Sequence, residues 1–447
     1  MHLAKISVDK FLHEKRSHKS EKRECKIWKA AERKLKRSRP IENKFGRRSL
    51  VLEMMADRSP LDKNLIKKGK IFFTIPSFFS VIDSPEQAIS SLRKLAQHML
   101  AARVGEIFLD FRKLSQYDLG ANGLLDVLVD EMATQSRLTK RKIHWRGTYP
   151  ADPGHRRFVK AMGVIKRLKI SHEYPSREEE GKLALFDARC KHYIRVLKPK
   201  DANQNAKVTQ EFSDHIDKCL ESVGRKLIPE ARSSLCQYVS EIIDNAEEHA
   251  GMLDWSIQGY LDTNLKAPLC EIVIFNFGKT IAQSFEVLPK NGYTYSQINK
   301  FIEHHRKSGF FRPKWRVQDL LTLVALQGHV SSKNTNAGDT RGNGTVELID
   351  FFQGMHKECC EVAARGAEAK MAIVSGSTYI LFDGKYKMEE NEEGVKIIAF
   401  NDENDLLRQP DTKYVRQLNG VEFPGTLIGI KFPLSTAAST VETGEGT

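Results

Sequence analysis

Residues 233–251, SSLCQYVSEIIDNAEEHAG, hold a carboxylate and a side-chain amide at a spacing suited to phosphate chemistry. Leu235, Val239, Ile242 and Ala246 recur at intervals of four, three and four, which predicts a helix with these residues on its buried face. Glu241, Asn245 and Glu248 repeat the same intervals on an adjacent face, and Gly251 supplies a C-terminal stop. Glu241 and Asn245 therefore stand one turn apart beside a packed stripe. The Asn245 carbonyl oxygen suits Mg²⁺, a hard ion preferring oxygen ligands, while Glu241 suits a base that orients or deprotonates an attacking water. An amphipathic helix whose polar flank simply faces water fits the pattern as well.

Three later segments bear on that choice. LCEIVIFNFGKTI, residues 269–281, reads as a buried strand ending at Asn276-Phe277-Gly278, where the backbone can turn against a flat ligand and a side-chain amide can accept from an adenine amino group. SSKNTNAGDTRGNGTVELIDFF, residues 331–352, is a Ser/Asn/Gly-rich loop that runs into a helical pattern of Val346, Leu348, Ile349 and Phe352. Gly342 and Gly344 let backbone N–H groups approach phosphate oxygens at a helix N-terminus, and Lys333 and Arg341 are candidates to neutralise the outer phosphates. Without G-K-[ST] at the required spacing, this is not a P-loop. MAIVSGSTYILFD and FPGTLIGIKFPL are strand patterns that close a sheet.

In this order the motifs resemble the ATP-binding domain of the GHKL superfamily, the group that includes gyrase, histidine kinases and mismatch-repair ATPases, over about residues 206–434. The resemblance implies an α/β sandwich, a mixed sheet covered by helices on one face. It further implies ATP and Mg²⁺ as ligands, Glu241 as general base, Asn245 as magnesium ligand, Asn276 and Gly278 at adenine, and Gly342 and Gly344 at the phosphates. Asn276 stands where the family has an acid, Thr280 where it has a second glycine, and Val346 where it has a third phosphate-loop glycine. Residues 331–338 read as a lid. His304 and His305 read as solvated residues of a charged helix, and His215 has only a superficial likeness to a phosphoacceptor.

The elements that must hold this site begin earlier. Ile71–Ile75, Glu106–Phe111 and Lys142–Trp145 read as strands, alternating with helices from Pro85 to about Arg103, from Leu119 to Ala133 and from Pro153 to Met162. Strands alternating with helices predict an α/β domain. EIFLDFRKLSQYDLGANGLLDVLVDEM followed by KIHWRGTYP resembles a STAS domain over residues 70–175. Ala121 and Asn122 stand where switch members of that family carry a hydroxyl before Gly123-Leu124, which leaves a docking role. Polar residues 176–205 read as a linker, residues 1–69 as a basic arm and residues 435–447 as a tail.

The chain has 447 residues, 40% of them hydrophobic, enough for two or three cores. Its net charge of +14 is concentrated: residues 1–50 hold 17 Lys/Arg against 6 acids, a surplus of +11, leaving +3 for the rest. Residues 1–48 could therefore anchor the chain to nucleic acid or another polyanion such as an anionic membrane surface, and a solvated basic extension with no specific partner fits as well. Seven cysteines without a C-x-x-C pair argue against a disulfide framework or a zinc site, and no apolar stretch is long enough to span a bilayer, so a cytoplasmic location is expected. The leading expectation is an intracellular regulator that binds Mg-ATP and couples lid closure to docking of a protein partner, with slow ATP hydrolysis or protein phosphorylation as its output. The rival is a non-catalytic scaffold with a degenerate nucleotide fold and a nucleic-acid-binding arm.

Overall fold

Short β-branched and aromatic runs alternate with amphipathic helices, and the computed structural model follows that alternation, giving an α/β chain. It describes residues 49–57, 59–62, 65–101, 104–140, 142–191, 204–249, 252, 254–265, 267–311, 315–328, 330, 334, 344–360, 368–392 and 394–434. The arm up to residue 48 and the tail from residue 435 lie outside them.

The N-terminal unit runs α1 (Leu50–Met55), β1 (Ile66–Lys67), β2 (Lys70–Thr74), β3 (Phe78–Phe79), α2 (Pro85–Met99), β4 (Glu106–Asp110), β5 (Gln116–Tyr117), α3 (Leu119–Leu138), β6 (His144–Thr148), α4 (Pro153–Ala161) and α5 (Val164–Arg167), with α6 (Arg177–Glu180) leading out. Its main sheet has the order β1-β2-β4-β6, parallel except at β1. Ile71, Phe73, Ile107 and Leu109 point from this sheet into a core shared with α1, α2 and α3. Folding starts earlier than the expected arm boundary at residue 69. Ser49 caps α1 and donates to Glu131, while Val51, Leu52 and Met55 are buried. Six residues are too few to register as a sustained apolar stripe.

The second unit comprises β7 (Leu183–Cys190), α7 (Gln204–Glu221), α8 (Pro229–His249), β8 (Trp255–Asp262), β9 (Leu269–Phe277), α9 (Ile281–Glu286), α10 (Tyr293–Lys307), α11 (Val317–Val324), α12 (Gly344–Cys360), β10 (Lys370–Gly376), β11 (Thr378–Phe382), β12 (Glu389–Glu390), β13 (Lys396–Ile397), β14 (Val415–Gln417) and β15 (Phe423–Pro433). Seven strands form one sheet in the order β14-β11-β10-β15-β9-β8-β7. Two expectations are corrected here. The sheet is antiparallel at every pairing rather than mixed. The expected linker contains β7, which pairs with β8 from Leu183↔Asp262 to Cys190↔Trp255. The flanking SREEEGK and KPKDANQNA give the region its polar texture, while Asp187 and Arg189 within β7 are held in an ionic network at the junction of the two units.

Helices cover both faces of this sheet, not one. Ile272, Ile274 and Ile428 face α7, α8 and α12, whereas Val273, Phe275, Phe277 and Leu427 pack with Leu124, Leu125 and Leu128 of α3. Every position of β8 is buried between the two layers, the polar Ser256, Gln258 and Asp262 included. The approach of α3 is close: a Cβ at Gly123 would lie 2.7 Å from Gln258 Oε1 and 3.1 Å from the Phe275 ring. Ala121 and Asn122, the positions without a switch hydroxyl, are fully buried there. Among the described residues no helix is long and apolar enough to cross a membrane.

The junction carries ionisable groups. Arg167 lies 3.1 Å and Arg189 3.6 Å from the fully buried Asp126, and both arginines also reach Asp187. At the start of α3, the Leu119 N–H donates to Glu271 Oε2 at 2.6 Å. Desolvation, reinforced by the charge of Asp118, pushes Glu271 up to about 8 from its ordinary 4.5. The native state thus holds a proton that the unfolded chain has released between those values. Stability is greatest below the unfolded value and drains as pH rises through about 8. Glu271→Gln keeps an acceptor for Leu119 without a titrating proton, so its stability should gain on the native chain as pH rises from 5 to 8. Urea denaturation at a series of pH values checks this; parallel curves for the two proteins would contradict it.

Candidate functional site

Helix α8 buries Leu235, Tyr238, Val239, Ile243 and Ala246 against the sheet. Its core stripe passes through Ile243, and Ile242 is turned partly outward, into a cleft. Glu241 and Asn245 open into the same cleft. Its floor is the sheet centre, where Asn276 of β9 sits between Trp255 of β8 and Thr426 of β15. One wall is the start of α9, with Lys279, Thr280 and Phe285, and the opposite wall includes Thr345 of α12. The cleft is open to solvent and encloses about 140 Å³.

Local sequence explains each position. On β9, period-two alternation sends Ile272, Ile274 and Asn276 to the helical face, so the amide arrives at the strand end where the apolar ladder stops. Gly278, two residues on, has φ +126°, and its N–H donates to Pro424 O at 3.1 Å. A side chain would strain this turn, which delivers Lys279 and Thr280 to the cleft. Thr280 then caps α9 in a reciprocal capping box with Gln283. The Thr426 hydroxyl lies 2.9 Å from Ser375 Oγ, which accepts the Ile281 N–H at 2.9 Å. The side-chain amides of Asn245 and Asn276 make no hydrogen bond among the described residues.

At the other end of the cleft, α12 begins against Glu241. A Cβ at Gly344 would lie 2.6 Å from Glu241 Oε2 and 2.9 Å from Glu241 Cβ. Glu347, one turn into α12, is held above its ordinary value by desolvation first and by the charge of Glu241 next, and its Oε2 is buried without a hydrogen-bond partner. Two carboxylates thus converge where a helix starts. The unpartnered Glu347 oxygen and the Glu241 carboxylate are oxygen donors of the kind a hard divalent cation prefers, and Asn245 lies one turn from Glu241 on α8. Among the described residues no three His, Cys, Asp or Glu gather as metal ligands, so a cation here would complete its shell from phosphate and water.

Of the residues singled out in the sequence, Glu241, Asn245 and Asn276 meet in one cleft, Gly278 makes its turn and Gly344 abuts Glu241. Lys333, Arg341 and Gly342 lie outside the described residues, as does the expected lid apart from Asn334. Sequence reasoning missed Thr426, Lys279 and Phe285. The Gly-Thr interruption of the apolar run in FPGTLIGIKF was the available signal for Thr426. Of the paired histidines His304 is exposed as expected, but His305 is fully buried, its Nδ1 accepting from Trp315 Nε1 at 3.2 Å and its Nε2 facing Leu406 O at 2.9 Å. His215 is likewise buried, with Nε2 3.5 Å from Cys219 Sγ.

No protein-family model, curated protein or solved structure matches the chain.

A test of sign probes the packing of α12 on Glu241. Replacing a helical glycine by alanine ordinarily stabilises by roughly 0.5–1 kcal/mol. At Gly344 the new methyl collides with the Glu241 stem, and overpacking costs about 1–3 kcal/mol. Gly344→Ala should therefore lower the thermal unfolding midpoint, whereas Gly354→Ala, with open space around the new methyl, should raise it or leave it unchanged. A stabilised Gly344→Ala would show that α12 does not press on Glu241.

Proposed function

We propose that the cleft binds a purine nucleoside triphosphate, ATP in the first instance, together with Mg²⁺, in the manner of the GHKL ATPases. The observation that carries this reading is the convergence of Glu241 and Asn245, one turn apart on α8, with Asn276 from the sheet centre on a single cleft. Purine and phosphate chemistry are thereby offered at opposite ends of one cavity.

Each residue has a definite task. The Asn276 carbonyl accepts from the exocyclic amino group of the base, and the rings and alkyl groups of Phe285, Ile281 and Ile428 cover the base faces. Lys279 supplies a positive charge at the rim. Backbone N–H groups at the start of α12 point toward the phosphates and favour negative charge. The Asn245 carbonyl, with Glu241 and Glu347 nearby, would hold the cation, whose chemistry is to neutralise the phosphate oxygens and orient the terminal phosphoryl group. Glu241 holds the attacking water, or a hydroxyl of a protein acceptor, and takes its proton.

The N-terminal unit, STAS-like in this reading, rests on the face of the sheet opposite the cleft. Nucleotide binding and partner docking are therefore coupled through one sheet, as expected of an intracellular regulator. A second reading, binding without turnover, draws on Asn276: an amide anchors the base less strictly than the acid of the family, because its NH₂ can face the same position.

Thermal unfolding with and without Mg-ATP tests the proposal. At a hundredfold excess over Kd the ligand stabilises by about 2.7 kcal/mol, a readily measured shift. Asn245→Ala should lose the Mg²⁺-dependent part of that shift. Glu241→Ala should retain binding and lose phosphate release by a factor on the order of 100 or more. Absence of any shift in the native chain sinks the reading; a shift with no phosphate release in the native chain selects binding without turnover.

A further inference from the structure

Among the described residues nothing covers one face of the N-terminal sheet. Ile71, Phe73, Ile107 and Leu109 use the inward face, so Lys70, Phe72 and Thr74 of β2, Glu106 and Phe108 of β4, and His144 and Arg146 of β6 look outward. Register lines three of them up in a row across neighbouring strands: Phe72 beside Phe108 beside Arg146. The two rings lie 6.1 Å apart between centroids at 39°, and Phe72 is 44% exposed. A large aromatic left 44% exposed at the middle of a sheet needs a reason, since it forgoes nearly half of the roughly 1.5–3 kcal/mol that full burial of such a side chain contributes.

The surroundings are basic. Both acids of the outward face already have partners, Glu106 with Lys70 at 3.1 Å and Asp110 with Arg112 at 2.8 Å. Lys67, Lys68 and Lys142 stand exposed at one end of the strands, Arg112 and Lys113 at the other, and Arg146 in the central row. Two adjacent rings flanked by cations at both strand ends complement a polyanion that carries planar, unstacked bases. A duplex keeps its bases stacked within and offers such rings nothing to contact. A second protein copy would need about 800 Å² of complementary surface, and two rings within a cationic rim do not provide it.

We propose that this open sheet face binds single-stranded nucleic acid, with Phe72 and Phe108 each stacking a base and Arg146 and the flanking lysines holding the backbone. The surplus of +11 in residues 1–50 adds sequence-independent attraction to the same ligand, so the chain is held by charge and read by stacking. This site is separate from the cleft and does not depend on how the cleft is used.

The test is fluorescence anisotropy of the full chain with fluorescein-labelled oligothymidylate and oligouridylate of about 16 nucleotides, and with a duplex of equal length, at two salt concentrations. The native chain should prefer the single strands. Phe72→Ala combined with Phe108→Ala should weaken single-strand binding on the order of tenfold or more, at both salt concentrations, because stacking is not screened. Phe72→Tyr with Phe108→Tyr should keep the affinity, which separates stacking from disturbance of the fold, and circular dichroism of all variants checks the latter. Arg146→Ala should lower the slope of log affinity against log salt by about 0.7. The proposal is overturned by equal affinity of the native and double-alanine chains, by equal affinity for duplex and single strand, or by no binding. It is also overturned if the native chain sediments as a dimer that the alanine pair dissociates, which would make the face an interface between copies.

Discussion

Strand β9 serves two neighbours at once, and the period of two in its side chains is the constraint on which the architecture turns. Ile272, Ile274 and Asn276 face the helices that form the cleft, while Glu271, Val273, Phe275 and Phe277 face the N-terminal unit. A slip of one residue would exchange the two sets, withdrawing Asn276 from the cleft and driving Glu271 into an apolar layer. Register is fixed from both sides, by nine paired positions with β15 and six with β8. The geometry of the cleft and the docking of the N-terminal unit are therefore one structural fact.

Where polar chemistry enters this doubly covered sheet, the chain uses small residues or paired charges to admit it. Gly425, opposite the turn after β9, could carry no Cβ: the atom would lie 2.0 Å from Asn276 O. Gly259 gives way in the same manner to the His215 ring, which an added Cβ would meet at 2.2 Å. On the far face, Asp126 is placed between Arg167 and Arg189, and desolvation still raises its carboxyl to about 6. Buried ion networks of this kind contribute little net stability, yet loss of one partner strands a charge. Their geometric demands fit a surface that must dock in one register.

Much of this organisation was legible in the sequence. The N-terminal strands and helices lie within a few residues of their expected places because each has a strong periodicity and a marked start, such as Pro85 after Ser84 or Asp118 capping α3. The union of Glu241, Asn245 and Asn276 was legible because a helical interval and a strand end are both local signals. What escaped depended on partners distant in sequence. The charged residues of β7 are accommodated only because α3 and α5 supply opposite charges, and His305 is buried only because Trp315 and Leu406 meet both its ring nitrogens. Ile242 and Ile243 are neighbours on a helix, and which of them enters the core was decided by where the cleft opens.

The start of α12 shows how the same packing creates tension at the candidate site. Its first turn favours a negative charge through unpaired N–H groups, and Glu241 is pressed against Gly344 at that end. Glu347 then lies in reach of the same charge and is driven toward its protonated form, with one oxygen unpartnered. One carboxylate is stabilised by the helix end, while the second raises the local cost of that arrangement. Either a cation between them or a proton on Glu347 relieves the repulsion, and these two solutions compete for the same oxygen. Under the proposal that a hard cation binds at the start of α12, proton uptake at Glu347 and cation affinity are linked in opposite directions, so that acidification loosens the grip on that cation.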